Sequence, residues 1–232
     1  MKKKMELLMA ACLLVSAFIL ARQGAVLVQS EEAASKKICI VVDAGHGGTD
    51  PGKVGINDAL EKDINLAIAL KLKDLLEQKD IEVILTRDSD AGLYSADATN
   101  KKASDMQKRC QIITEANPVF TISIHQNSYT TEDVKGAQVF YYGQSTEGEK
   151  LATILQNSLI SHVDSENKRV AKANESYYLL KKTPTPTVIV ECGFLSNPTE
   201  ADLLLDTDYQ KKIARAIYMG VLEYLEQEAL PS

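Results

Sequence analysis

The chain has 232 residues, of which 45% are hydrophobic and 25% charged, with a formal net charge of −6. Those proportions exclude disorder as the main state, and the length suits one α/β domain with a substantial core. Lys2, Lys3, Lys4 and Arg22 against Glu6 put the first thirty residues at +3, so the remainder carries −9. That balance excludes a binder of phosphate backbones, and no nucleic-acid partner is expected.

The N-terminus reads as a targeting segment: a basic start, then an apolar run from Leu7 to Ala21 broken only by Ser16. A spanning helix needs about 20 apolar residues, so a secretory signal fits better than a membrane helix. No clean Ala-x-Ala site follows, and Ala25 to Val28 extend the span past Arg22, which keeps a retained anchor as the alternative. The expected layout is a signal peptide or N-terminal membrane anchor over 1–30, a linker over 31–36 and a single catalytic domain over 37–228. The domain is then exported to the outer side of the cytoplasmic membrane and touches the membrane only through its N-terminal segment. Cys39, Cys110 and Cys192 form an odd set without paired spacing and read as small buried hydrophobes.

From Lys37 onward strand-like and helix-like patterns alternate. Strands are expected at 37–43, 81–86, 119–125, 136–142, 177–181 and 187–192. Helices are expected at 59–79, 99–116, 147–163 and 208–228, with a short one near 199–205. This alternation predicts a mostly parallel, twisted sheet covered by helices on both faces. No internal repeat is present, and no second domain is expected after the last helix.

Three chemistry-bearing residues follow or close apolar, β-branched runs. His46 follows Ile38-Cys39-Ile40-Val41-Val42-Asp43, His125 closes Phe120-Thr121-Ile122-Ser123-Ile124, and Glu191 ends Thr187-Val188-Ile189-Val190. Such runs are buried strands, and an ionised carboxylate at the end of one costs several kcal/mol unless it is paired, ligated or reactive. In open α/β sheets ligands gather at the carboxyl ends of the strands, so three such ends suggest one site. The loop Asp43-Ala44-Gly45-His46-Gly47-Gly48 lacks both common phosphate-binding glycine patterns, and its histidine points toward metal.

Glu61 is ambiguous. Asp58-Ala59-Leu60-Glu61 fits a capping box, with Asp58 as N-cap. Yet Glu61 also shares a stripe with Ile64, Ile68, Leu72 and Leu75, which turns it toward the protein body. With His46 and His125 it completes a His₂Glu set, the donor type of catalytic zinc sites that leave a fourth position open. Zinc lowers the pKa of a bound water to about 7, and Glu191 would act as the carboxylate that takes its proton. The exchange of roles, with Glu191 a ligand and Glu61 the cap, is equally compatible with the residues. The third histidine, His162, lies late in a helix beside a polar loop and reads as a surface residue.

Four ordered segments resemble the signatures of the zinc-dependent N-acetylmuramoyl-L-alanine amidases of type 3. They are Asp43-Ala44-Gly45-His46-Gly47-Gly48, Glu61-Lys62-Asp63-Ile64-Asn65-Leu66, Ser123-Ile124-His125 and Val190-Glu191-Cys192-Gly193-Phe194-Leu195-Ser196-Asn197. Thr86-Arg87 and Arg109 with Ala116-Asn117 also stand where that family has arginines and an Ala-Asn pair. The resemblance runs from about Lys37 to Leu225. It implies a six-stranded α/β fold, one Zn²⁺ per chain held by His46, Glu61 and His125, and Glu191 as the catalytic carboxylate. It also implies hydrolysis of the amide between the lactyl group of N-acetylmuramic acid and the L-alanine of the peptidoglycan stem peptide.

Two positions depart from the family pattern: Gln126, where many members have Ala and which is expected to alter the rim of the site, and Cys192, where an aliphatic residue is commoner. The small layout and the run Ser123-Ile124-His125-Gln126-Asn127-Ser128 are similar to the spore-cortex branch of the family, whose members strip stem peptides so that muramic δ-lactam can form. That implies a role in cortex maturation for germination, with the forespore intermembrane space as location. With no wall-binding repeat, an accessory exported protein is an expected partner beside the peptidoglycan substrate. The competing readings are a vegetative wall amidase, a zinc carboxypeptidase-like peptidase and a non-catalytic wall-binding protein. Arg87 is expected to form a buried ion pair with Asp43 or another acid, or else to touch substrate.

Overall fold

The computed structural model describes residues 37–95 and 97–229, with isolated positions in the leader. The leader expected over 1–30 and the linker over 31–36 otherwise lie outside the described residues. Among the described residues no helix is long and apolar enough to cross a membrane.

Six strands form one sheet: β1 (Cys39–Ala44), β2 (Glu82–Leu85), β3 (Phe120–Asn127), β4 (Gln138–Tyr141), β5 (Lys172–Ala173) and β6 (Thr187–Phe194), in the order β2-β1-β3-β6-β4-β5. The β2-β1-β3-β6 stretch is wholly parallel, and β4 turns the direction by pairing antiparallel with β6. The helices are α1 (Glu61–Glu77), α2 (Lys101–Ala116), α3 (Thr146–His162), α4 (Tyr178–Lys182), α5 (Pro198–Leu205) and α6 (Thr207–Ala229). The expected α/β class and six-stranded, mostly parallel sheet are what the chain forms.

Strand residues alternate between two unlike faces, as a period of two requires. Ile40, Val42 and Ala44 of β1, Phe120, Ile122 and Ile124 of β3, and Val188, Val190 and Cys192 of β6 enter the large core. There they meet Ile64, Ile68 and Leu72 of α1, Leu151 and Leu155 of α3, and Ile213, Ile217 and Val221 of α6. The opposite face is covered more thinly. Val41 packs with Ile113 of α2 and Leu179 of α4, while Ile189 packs with Phe140 and Leu180. Asp43, Ser123, His125 and Glu191 have the parity of this thin face.

Local signals set several helix ends. Asn100, Ser145 and Asn197 cap α2, α3 and α5 by accepting from Ala103, Gly148 and Glu200 N–H groups. One expected element is corrected: 177–181 is not a strand but the short helix α4, and the edge strand is β5 instead. Asn174 Oδ1 accepts from the N–H groups of Ser176 and Tyr177, which turns the chain. The adjacent residues Leu179 and Leu180 are then both buried, a pattern that a strand with one solvated face does not allow.

Candidate active site

The site lies at the carboxyl ends of β1, β3 and β6. The β1 end leads into a loop held in the left-handed region, with φ of 63° at His46 and 57° at Gly48. Gly45 sits against the His125 ring, where a Cβ would come within 2.3 Å of ring atoms. His125 ends the buried run of β3, and in the β3–β6 ladder it stands opposite Glu191.

The ambiguity at Glu61 is resolved against the capping box. The N-cap of α1 is Leu60, with no side-chain cap bond, and Asp58 has a positive φ. Glu61 is the first helical residue, 2% exposed, and its carboxylate points into the site. Oε2 accepts from the Lys53 N–H at 2.7 Å and Oε1 from the Gln126 N–H at 3.1 Å. Oε1 also lies 2.9 Å from His125 Nδ1 and 3.3 Å from His46 Nε2. Burial pushes the Glu61 carboxyl up, but hydrogen bonds from His125 and His46 outweigh it and hold the group well below the usual carboxylate range.

One donor atom from each of His46, Glu61 and His125 falls within 4.8 Å of the others. Imidazole lone pairs and a carboxylate oxygen aimed at one point repel unless a proton or cation lies between them. Two nitrogens and one oxygen are a donor set that fits zinc. His46 is further oriented by Asp50, whose Oδ2 lies 2.9 Å from Nδ1 and so leaves Nε2 facing inward.

Glu191 is brought beside this cluster rather than into it. It is 7% exposed, its Oε2 has no hydrogen-bond partner among the described residues, and its Oε1 lies 3.5 Å from the Tyr177 hydroxyl. Burial pushes its carboxyl up to about 7, with the charges of His125 pulling down and of Glu61 pushing up. Met106, Leu179 and Ile189 supply apolar wall to the same cavity, and Lys102 and Tyr178 also line it.

Beneath the loop two guanidiniums hold backbone carbonyls. Arg109, 1% exposed, donates from Nη1 to Asp43 Oδ1 and the Ala44 oxygen, from Nη2 to the His46 oxygen and from Nε to Asp105, at 2.6 to 2.7 Å. Arg87 donates to the carbonyl oxygens of Ala44, Gly45, Lys62 and Ser89. The buried ion pair expected for Arg87 with Asp43 is therefore made by Arg109. Burial alone would raise the Asp43 carboxyl, but Arg109 and the hydroxyls of Ser123 and Thr86 hold it at about 2.

Gln126 does not shape the rim. It is 2% exposed and donates to Asn65 Oδ1 under the site, because the residue after His125 must face the other side of the sheet. Cys192 is buried in the main core. His162 is exposed on α3 and bonds the Ser158 oxygen of its own helix. Sequence reasoning missed Asp50 and Tyr177. The acid four residues after His46 was a usable signal for the first, whereas Tyr177 was hidden by the misread helix.

Comparison with known proteins points to one family. The family model described as N-acetylmuramoyl-L-alanine amidase matches residues 40–223. The germination-specific N-acetylmuramoyl-L-alanine amidase of Bacillus subtilis is 38% identical over 195 residues, covering 83% of this chain and 81% of that one. Among solved structures, the CwlD amidase of Clostridioides difficile, determined in complex with the GerS lipoprotein, superposes with a TM-score of 0.80 at 41% identity, over 82% of this chain and all of that one. An N-acetylmuramoyl-L-alanine amidase of Clostridium difficile 630 gives 0.74 at 29% identity, over 84% of this chain and all of that one. The chain belongs to the N-acetylmuramoyl-L-alanine amidase family.

Proposed function

We propose that this protein is a zinc-dependent N-acetylmuramoyl-L-alanine amidase in which His46, Glu61 and His125 hold one Zn²⁺ and Glu191 carries the proton. The observation that supports it best is the convergence of three donor atoms within 4.8 Å beside a buried, unpartnered carboxylate oxygen. Zinc, when bound, supplies Lewis acidity toward the lactyl carbonyl oxygen and toward water. Glu191 Oε2 takes a proton from the water as its oxygen bonds to the carbonyl carbon. Glu191 then delivers that proton to the L-alanine nitrogen as the C–N bond breaks. The products are a free lactyl carboxylate on the glycan and a stem peptide with a free N-terminal amine. The thin face of the sheet, walled by Met106, Leu179 and Ile189, supports a cavity from which water is displaced when substrate enters.

The germination-specific relative supports a role in germination, and the resemblance to the spore-cortex branch supports removal of stem peptides ahead of muramic δ-lactam formation. The lipoprotein complex of the similar Clostridioides difficile enzyme supports an accessory exported protein as partner. The basic, apolar N-terminus supports export, by a cleaved signal or a retained anchor over 1–30, with catalysis in 37–228.

Mass spectrometry of products released from purified peptidoglycan by the zinc-loaded protein tests this reading. Stem peptides beginning with L-alanine, lost on chelation, are expected. Stems shortened from the other end would instead identify a carboxypeptidase. Glu191→Gln should keep zinc and lose about 10²-fold or more in turnover.

A further inference from the structure

The surroundings of Glu191 are poorer in polar partners than its burial calls for. An ionised carboxylate has about four lone-pair sites. Oε2 fills none of them with protein among the described residues, and Oε1 meets only the Tyr177 hydroxyl, at 3.5 Å. Tyr177 is held for this contact. Its N–H bonds Asn174 Oδ1 at the start of α4, and its ring meets Phe140 edge-on, with centroids 5.6 Å apart at 82°. Phe140 in turn packs with Leu180 and Ile189. The ring is thus fixed by packing, and Tyr177 lines the same cavity as His46, His125 and Glu191.

We propose that Tyr177 is a positioning residue for the proton transfer: its O–H donates to Glu191 Oε1, fixes the carboxylate plane and leaves Oε2 as the oxygen that receives the proton from water. This rests on Glu191 being the proton carrier. A carboxylate free to rotate about its last bond spends only part of its time aligned with the water, whereas one tied at Oε1 is aligned before substrate arrives. The 3.5 Å separation is at the long end of hydrogen bonding, and catalytic hydrogen bonds in free enzymes shorten when substrate fills the site. Burial and the charge of Glu191 push the phenol up to about 12, so it keeps its proton at working pH.

The test is a double-mutant cycle in the zinc-loaded full chain, with Tyr177→Phe made in the wild-type and Glu191→Gln backgrounds and assayed on a defined muropeptide. In the wild-type background kcat should fall roughly tenfold while KM stays within about twofold, as expected for loss of one hydrogen bond to a charged group. Zinc affinity should be unchanged, and the loss should vanish in the Glu191→Gln background. An unchanged kcat, or the same tenfold loss in both backgrounds, overturns the proposal. Near-wild-type turnover of Glu191→Gln alone would instead remove the role of Glu191, and this assignment with it.

Discussion

His125 and Glu191 stand opposite each other in the parallel β3–β6 ladder, the first offering a ring nitrogen to the His₂Glu cluster and the second a carboxylate beside it. Their spacing is therefore a property of sheet register, and a slip of either strand by one residue would turn its side chain to the other face and part the two. The cost of this placement falls on the metal-free protein. With its pKa raised to about 7 from 4.5, Glu191 favours the folded state fully below pH 4.5, and that contribution is lost as pH rises through 7. Glu191→Gln should thus make the metal-free protein more stable at pH 8 by roughly 3 kcal/mol, with the gap closing near pH 4. Urea denaturation at both pH values checks this, and an equal stability of the two proteins at pH 8 would contradict it.

Arg109→Lys removes the fork that joins Asp43, Asp105 and the carbonyls of Ala44 and His46. An ammonium cannot span those acceptors together. Zinc affinity, measured by chelator competition, should drop about 10- to 100-fold as the His46 loop loses its support. A variant that unfolds more easily yet binds zinc as before would show that Arg109 serves the fold alone.

Asp43 predicts an acid limit to stability. Its carboxyl is held at about 2 against an ordinary 3.8, so the stabilisation is complete above pH 4 and is lost as pH falls through 2. The contribution is about 2 kcal/mol. Asp43→Asn should flatten the fall in stability between pH 4 and pH 2 by that amount, although it is less stable than wild type at pH 7 because Arg109 is left buried without its anion.

Gly45→Ala should disable the site by steric means. The new methyl group would lie 2.3 Å from the His125 ring, well inside contact distance, so the ring must swing out. Zinc content after dialysis should fall with turnover, while the far-UV circular dichroism of the sheet and helices stays as in wild type. Full zinc occupancy in this variant would show that His125 is not a ligand.

The convergence of His46, His125 and Glu191 was legible in the sequence because the last two close β-branched runs and the first follows one by a short loop, and burial makes a titratable group there conspicuous. Glu61 was only half legible: the local pattern favoured a cap, and the tertiary placement of Leu60 as N-cap decided otherwise. The exchange of Arg87 for Arg109 as partner of Asp43 depends on strand order, since β1 lies between β2 and β3 and α2 covers the thin face, and no local pattern encodes that. The segment 177–181 was misread because Tyr-Tyr-Leu-Leu has strand composition, while the turn that starts a helix there comes from Asn174, three residues upstream of Tyr177. The inward turn of Gln126 followed from alternation along β3 and was there to be read.

The three donors come from a loop after β1, the first residue of α1 and the end of β3, so an ion shared among them ties together residues 46, 61 and 125. An ion that binds the folded site and not the unfolded chain adds its binding free energy to stability, about 4 kcal/mol when free metal stands about 1,000-fold above Kd. Cys39, Cys110 and Cys192 make no bridge. If the proposed zinc site holds, the ion that serves the chemistry would also hold the loop after β1, the start of α1 and the end of β3 together, and thermal denaturation would record zinc loading as directly as turnover does.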